Sequence, residues 1–323
     1  MIEYYAASAV LSFVVTLALT WVLIGRLTRA GITGNDENKP DRPAIPEMGG
    51  IAIVAGLSAG LLLAIFFSSF LSFQLNLAYV LAAIITIHTI AFIGIIDDLL
   101  DIPQWLKAVM PLFAAIPLVA VKVGSTAMTI PFIGTVDFGV IYILALVPLA
   151  VAVCSNLTNM LAGFNGMEAG MGSVIFGTMS VVAIVNGSTE MALVSLSMFG
   201  ALLAFLAFNI HPARIFPGDV GTLTIGCALA ASVIIGNLES AGVILVVPYV
   251  FDFFVKAANR FPHTHQDIRN GKLYPKGGKV NGLVHVVMKA FNGISEQKLV
   301  LFFVGVEALF AMVVLALYVL PRM

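Results

Sequence analysis

Three carboxylates fall within five residues at 97–101 (DDLLD), and Lys107 follows six residues later. On a helix Asp97 and Asp101 share a face, with Asp98 about 100° away. Carboxylates this close repel one another unless a cation lies among them. Oxygen donors of this type suit Mg²⁺, which takes one or two carboxylates together with substrate phosphates; Mn²⁺ accepts the same donors. A solvated acidic helix end would have the same sequence. Four further polar clusters stand out. NLTNMLAGFNGMEAG (156–170) sets Asn156 and Asn159 one helical turn apart and follows them with Gly163, Asn165 and Gly166. Amide oxygens and close backbone approach can cradle a nucleotide or hold a cation, and they also serve as helix caps. NIHPARIFPGD (209–219) ends in Asp219, which either caps a helix or, beside a second acidic cluster, ligates metal. His263 and His265 form a His-x-His pair in a basic loop, suited to hydrogen bonds with a diphosphate. They lack the further ligands a zinc site needs. The segment 35–48 (NDENKPDRPAIPEM) offers Lys39, Arg42 and Glu47 to a substrate. Carboxylates for a metal, amides and glycines for a nucleotide, and basic donors for phosphate make the set expected for phosphoryl transfer, where positioning and charge neutralisation do most of the catalysis.

The elements that must position these residues are membrane helices. Of the 323 residues 60% are hydrophobic and 10% charged, against roughly 25% charged in soluble domains. Too few charges remain to face water, so the bilayer is the main solvent. Apolar runs of the roughly 20 residues a spanning helix needs occur near 4–26, 48–70, 76–96, 104–122, 140–160, 168–186, 190–209, 220–237, 240–259 and 297–319. The fold expected is all-α and polytopic, one domain over 1–323 with about ten transmembrane helices. The first run is too long for a signal-peptide core and has no basic flank ahead of it. A small hairpin is expected at 125–139, outside the membrane, and a short amphipathic helix near 283–291. Cys154 and Cys227 lie in apolar runs as packing residues, and a net charge of −1 suggests no nucleic-acid partner.

Lys and Arg fix the orientation. Fourteen of the sixteen, all except Lys122 and Arg322, fall in or beside one set of alternate loops. That face is expected to be cytoplasmic, with loops at about 27–47, 97–104, 160–168, 210–219 and 260–297. Both termini then lie outside. Nearly every polar cluster sits at the cytoplasmic end of an expected span, so the chemistry is expected to be interfacial, with a lipid as the expected second substrate. An ion-coupled transporter would place such carboxylates near the bilayer midplane on broken helices. A noncatalytic lipid-binding subunit would have no need of the carboxylate and His-x-His clusters.

The motifs PEMGG (46–50), GIIDDLLDIP (94–103), NLTNMLAGFNGMEAG (156–170), FNIHPARIFPGDVG (208–221) and PHTH (262–265), in this order, resemble the polyprenyl-phosphate N-acetylhexosamine-1-phosphate transferase superfamily (glycosyltransferase family 4). LAGFNGMEAG is similar to the eukaryotic and archaeal branch, the UDP-GlcNAc–dolichyl-phosphate GlcNAc-1-phosphate transferases that begin N-glycan assembly. The bacterial branch carries aspartate where this chain has Ala162 and, typically, Asn165. The His-x-His pair is instead of the bacterial form, since the eukaryotic branch has Arg-His-Arg there. An archaeal member reconciles the two. The resemblance implies transfer of GlcNAc-1-phosphate from UDP-GlcNAc to a polyprenyl phosphate, dolichyl for this branch, with release of UMP. The alternative is a related transferase that acts on undecaprenyl phosphate for cell-wall or surface polysaccharide. It also implies residue roles. Asp97 and Asp98 correspond to the catalytic aspartates, and Asp101 stands where the eukaryotic branch has an asparagine close to the metal. Asn159 and Asp219 correspond to the Mg²⁺ ligands. Gly163 and Asn165 match the uridine position, Lys107 the phosphate-contacting lysine, and Glu47 a carboxylate near the catalytic site. His263 and His265 match the diphosphate pair. Gln104, beside Trp105, aligns with a sugar-contacting tryptophan. Relatives of this kind suggest a homodimer.

Overall fold

The computed structural model describes residues 1–130, 133–262 and 264–320. It is an all-α polytopic membrane protein with three small antiparallel hairpins. Among the described residues, eight helices are long and apolar enough to cross a bilayer: α1 (Ile2–Ala30), α2 (Gly50–Leu71), α3 (Leu77–Leu100), α6 (Tyr142–Met160), α7 (Met167–Val185), α8 (Thr189–Asn209), α9 (Gly218–Gly236) and α13 (Glu296–Tyr318). The expected span at 240–259 is a pair, α10 (Glu239–Leu245) and α11 (Val247–Ala258), bent by 57°. Pro248 opens the second piece, where its missing N–H costs nothing but its ring prevents continuation from the first.

The expected span at 104–122 is also not one straight helix. It forms α4 (Gln104–Ala114) and α5 (Ile116–Ala120), broken at Ala115 before Pro117. The pair still runs the height of the bundle. At one end Lys107 contacts Asp219 in the first turn of α9, and at the other the Ser125 N–H is bonded to Asn237, which caps the end of α9. With about 1.5 Å of rise per residue, 19-residue α9 is about 28 Å long and residues 104–120 about 25 Å. Among the described residues, the ten apolar segments therefore become eight helices long enough to span, one bent pair that together could span, and a shorter broken helix at 104–120.

Helix α9 is the axis of the bundle. It is buried along nearly its whole length and packs on α2, α3, α6 and α8. In lipid, helices associate through close packing of small residues rather than through the hydrophobic effect, and glycines make the contacts here. A Cβ on Gly94 of α3 would meet the main chain of Val220, with the nitrogen at 2.6 Å, and one on Gly50 of α2 would meet Gly221. One on Gly226 would meet the Cys154 carbonyl of α6. Thr158 locks the register of α6 by donating to Thr222 O at 2.8 Å. The outer flank is closed by α1, whose Ser8, Ser12, Thr16 and Thr20 form a buried stripe against α2 and α8.

Three hairpins decorate the ends. β1 (Thr33–Asn35) pairs with β2 (Ala44–Pro46), a hairpin that the proline-rich sequence does not announce. β3 (Ala127–Ile130) and β4 (Gly134–Asp137) form the expected hairpin, with Pro131 and Phe132 outside the described residues. β5 (Gln266–Arg269) and β6 (Lys272–Pro275) lead to α12 (Leu283–Ala290), the expected short amphipathic helix.

These contacts predict an asymmetry between glycines. Gly94→Ala should destabilise the detergent-purified protein by about 1–3 kcal/mol through overpacking. Gly305→Ala, whose Cβ would meet nothing within 4 Å, should not lower stability. Thermal unfolding followed by size-exclusion chromatography checks this, and equal melting shifts for the two variants would contradict α9 as the close-packed axis.

Candidate active site

The N-terminus of α9 is where the separate motifs meet. Gly218 turns the chain into the helix with φ of +67°, a conformation glycine adopts freely. The segment before it is joined to 46–50 by three main-chain bonds: Phe216 N–H to Pro46 O, Gly49 N–H to Phe216 O and Gly50 N–H to Pro217 O, each 2.8 Å. The first amides of α9 have no partner within their own helix. Asp98, one turn beyond Gly94 on α3, supplies one. Its carboxylate accepts from Asp219 N–H at 2.7 Å and Val220 N–H at 3.2 Å. The close approach at Gly94 thus places an anion on the positive end of a buried helix.

Beside this cap lies a charge cluster drawn from four helices. The Lys107 ammonium sits between the Asp97 and Asp219 carboxylates and contacts both. Asp97 also accepts from Ile102 N–H at 3.1 Å. Asn159 completes the group: its amide oxygen lies 2.8 Å from Lys107 Nζ, and its NH₂ lies 3.0 Å from Asp219 Oδ1 and 3.1 Å from Thr222 Oγ1. Asp97 is buried and Lys107 nearly so. Buried charges are tolerated when paired and hydrogen-bonded, and removing one partner strands the others. Among the described residues no three His, Cys, Asp or Glu side chains form a metal cluster. Two carboxylates and an amide oxygen nevertheless converge on a point now held by an ammonium. That donor set fits a magnesium ion completed by substrate phosphates and water.

A cavity of about 360 Å³ opens from this cluster, within the range of small-molecule sites. Asp219, Asn159 and Thr222 line one end, with Glu47 and Gly218; Asp36, Asn38, Gly163, His265 and Gln266 also line it. The loop at 36–39 is tied to the turn at 163–165 by a network: Asn38 donates to Gly163 O at 2.7 Å, Asn165 donates to Asp36 at 3.0 Å, and Gln266 donates to Asn38. Gly163 has φ of +104°, and a Cβ there would meet nothing within 4 Å.

The expected site residues divide as follows. Asp97, Asp98, Lys107, Asn159 and Asp219 come together, with Glu47 electrostatically coupled to Asp98. Gly163 and His265 line the cavity. Asn165 does not face it; its side chain is buried behind the wall, against Asp36. Asp101 is exposed in a left-handed conformation at the end of α3, outside the lining. Arg42 is exposed and pairs with Glu37 at 3.5 Å, also outside it. His263 lies outside the described residues. Sequence reasoning gave no role to Asp36, Asn38, Glu168, Asn209, Thr222 or Glu296. Asp36 and Asn38 make an Asx turn, with Asn38 N–H donating to Asp36 Oδ1 at 3.0 Å; their D-x-N spacing was the available signal. Glu168 accepts from Gly163 N–H at 2.5 Å and Asn209 from Gly166 N–H at 3.1 Å. Thr222, one turn past Asp219, carried no signal of its own.

Fold and site together define a polytopic helical membrane protein with an acidic cavity at the ends of its helices. A family model for glycosyl transferase family 4 matches residues 80–237. A protein of Saccharolobus solfataricus, provisionally named a UDP-N-acetylglucosamine–dolichyl-phosphate N-acetylglucosaminephosphotransferase, is 36% identical over 95% of this chain and 94% of its own. A Sulfolobus acidocaldarius protein of the same provisional name is 36% identical over 94% and 93%. The phospho-N-acetylmuramoyl-pentapeptide-transferase of Halalkalibacterium halodurans is 31% identical over 96% and 95%. The chain belongs to glycosyl transferase family 4.

Glu47 supplies a pH-dependent test of this geometry. Burial, reinforced by the Asp98 carboxylate, holds its carboxyl above the ordinary value of 4.5. The folded protein therefore binds this proton more tightly than the unfolded chain. Stability falls as pH rises from 4.5 through the raised folded value, and the deficit persists above it. Glu47→Gln removes that deficit. Without added metal, the variant should melt above the wild type at about pH 7.5 and converge with it toward about pH 4. A melting gap independent of pH would mean that Glu47 is not buried beside Asp98.

Proposed function

We propose that the protein transfers N-acetylglucosamine-1-phosphate from UDP-GlcNAc to a polyprenyl phosphate, dolichyl phosphate in the first instance, and releases UMP. The observation that carries this reading is the meeting of Lys107, Asp97, Asp219 and Asn159 at one end of a nucleotide-sized cavity, at the ends of membrane helices. The names of the archaeal relatives supply the donor and the lipid. The Lys and Arg bias supports a cytoplasmic site with both termini external. His265 lines the same cavity.

In the proposed reaction an oxygen of the lipid phosphate attacks the sugar-bearing phosphorus of the donor. The bond from that phosphorus to the UMP oxygen breaks, and UMP leaves as the new lipid diphosphate forms. A phosphate monoester is largely dianionic at neutral pH, with its second pKa near 6, so attack needs little help from a base. Asp98 has both oxygens engaged by the amides of α9, and Asp97 is held by Lys107 and Ile102 N–H. Neither is presented as a free nucleophile, which favours direct attack over an aspartyl intermediate. Asp98 holds the first turn of α9 and therefore Asp219. Lys107 is placed to exchange its carboxylate partners for phosphate oxygens. Asp219 and Asn159 would hold Mg²⁺, which when bound neutralises phosphate charge.

Purified protein given Mg²⁺, dolichyl phosphate and UDP-GlcNAc should release UMP. Asp219→Asn or EDTA should cut that rate by about a hundredfold or more, the scale of losing one preorganised electrostatic contact in an active site, while leaving the size-exclusion profile intact. Full activity in Asp219→Asn would remove Asp219 from the site. UMP released only with undecaprenyl phosphate would move the protein to the cell-wall type of its bacterial relative. Stoichiometric UMP release from donor alone would replace direct attack by a covalent route.

A further inference from the structure

Glu296 opens the last membrane helix. An acidic residue in the first turn of a helix usually stays in solvent and complements the dipole. This one is only 5% exposed. Its Oε1 accepts from the Asn165 N–H at 2.9 Å and lies 3.5 Å from Asn38 Nδ2. Its Oε2 contacts the Lys39 ammonium and lies 3.6 Å from His211 Nε2. Lys39 in turn is 3.2 Å from Asp36. One carboxylate thus joins four segments: the loop at 36–39, the turn at 163–165, the loop after α8 and the start of α13. It does not line the cavity; Asp36, Asn38 and Gly163, the groups it fixes, do.

We infer that Glu296, paired with Lys39, is a positioning residue that holds the wall of the cavity formed by residues 36–38 and 163 in register for the nucleoside part of the donor. The inference rests on the proposed transferase reading. The wall is built from loops, and such backbone keeps a fixed shape only where side chains bind it. Asn38 spans the gap by donating to Gly163 O, and Asn165 by donating to Asp36, while Gln266 and Glu296 orient the Asn38 amide. The charge matters as well as the shape. A glutamine could still accept from Asn165 N–H, but it would leave the Lys39 ammonium to Asp36 alone and loosen the tie between the 36–39 loop and the start of α13. The reacting phosphates belong at the other end, at Asp219 and Asn159. Contacts at this wall are therefore the same in ground and transition states, and losing them raises KM without lowering kcat.

The test compares wild type, Glu296→Gln, Lys39→Met and the double variant in detergent with Mg²⁺. Donor KM, lipid KM and kcat come from UMP release, and UDP binding is measured separately by calorimetry. Each single change should raise donor KM and UDP Kd about tenfold while kcat and lipid KM stay within about twofold. The double variant should be no worse than the weaker single, as expected for two ends of one contact. Lys39 lies in a surface loop with a partly exposed side chain, so its variant carries the same expectation if Glu296→Gln does not fold. Unshifted donor KM and UDP Kd, a fall in kcat at constant KM, or additive effects in the double variant would each overturn the inference while wild-type transfer stands. A wild-type protein that neither binds UDP nor releases UMP would instead overturn the transferase reading, and this inference with it.

Discussion

An ammonium ion lies between carboxylates from two helices, at the buried N-terminus of one of them, and the arrangement around it follows from that constraint. Asp97 and Asp219 could not share this low-dielectric space without a cation, and Lys107 reaches them because α4 begins at Gln104, a short turn after the end of α3 at Leu100. The Asp98 carboxylate is taken up by the amides of α9. Charge balance, helix capping and helix packing are therefore one problem at this site. Loosening α3 from α9 would uncap the helix and separate the lysine from one of its partners at the same time.

Glycine makes this possible in a bilayer. Apolar side chains gain little by meeting one another in lipid, so close backbone contact carries more of the packing. Gly50, Gly94 and Gly226 let α2, α3 and α6 approach the same helix. Gly94 and Asp98 lie one turn apart on α3. The residue that permits contact and the residue that exploits it are therefore fixed on one face, and a short stretch of α3 both packs the bundle and builds the site.

The membrane passes were legible because hydropathy depends on composition alone. The positions of all ten apolar runs recur as helices, and the hairpin at β3 and β4 was announced by its turn residues. The straightness of two passes was not legible from apolarity, which does not register that Pro117 and Pro248 interrupt a helix. The clusters around Asp97, Asn159 and Asp219 were legible because paired acids and amides at helix ends are chemically conspicuous. Glu296 was invisible. It is a lone acid in a common first-turn position, and its meaning comes from Lys39, 257 residues away. Asn165 and Asp101 show the converse. Their types and positions suggest ligand contact, yet one is turned into the protein and the other caps a helix in solvent. Residue type indicates which chemistry is available, whereas access depends on packing that no local pattern encodes.

The cavity's charge sets a further condition on the proposed reaction. Asp36, Glu37, Glu47, Glu168 and Asp219 line it, and among the described lining residues there is no lysine or arginine. A nucleoside diphosphate sugar carries negative charge of its own and cannot enter such a space uncompensated. The cation beside Asp219 and Asn159, Lys107, is already shared between two carboxylates, so swinging it toward phosphate exposes those carboxylates to each other. Asp219 and Asn159 would hold a divalent ion here, whose charge would offset both the donor phosphates and the carboxylates. On this argument the acidity of the cavity is a gate. It would disfavour a bare nucleotide and favour a metal-bound one, with Lys107 left beside the phosphates of the proposed reaction.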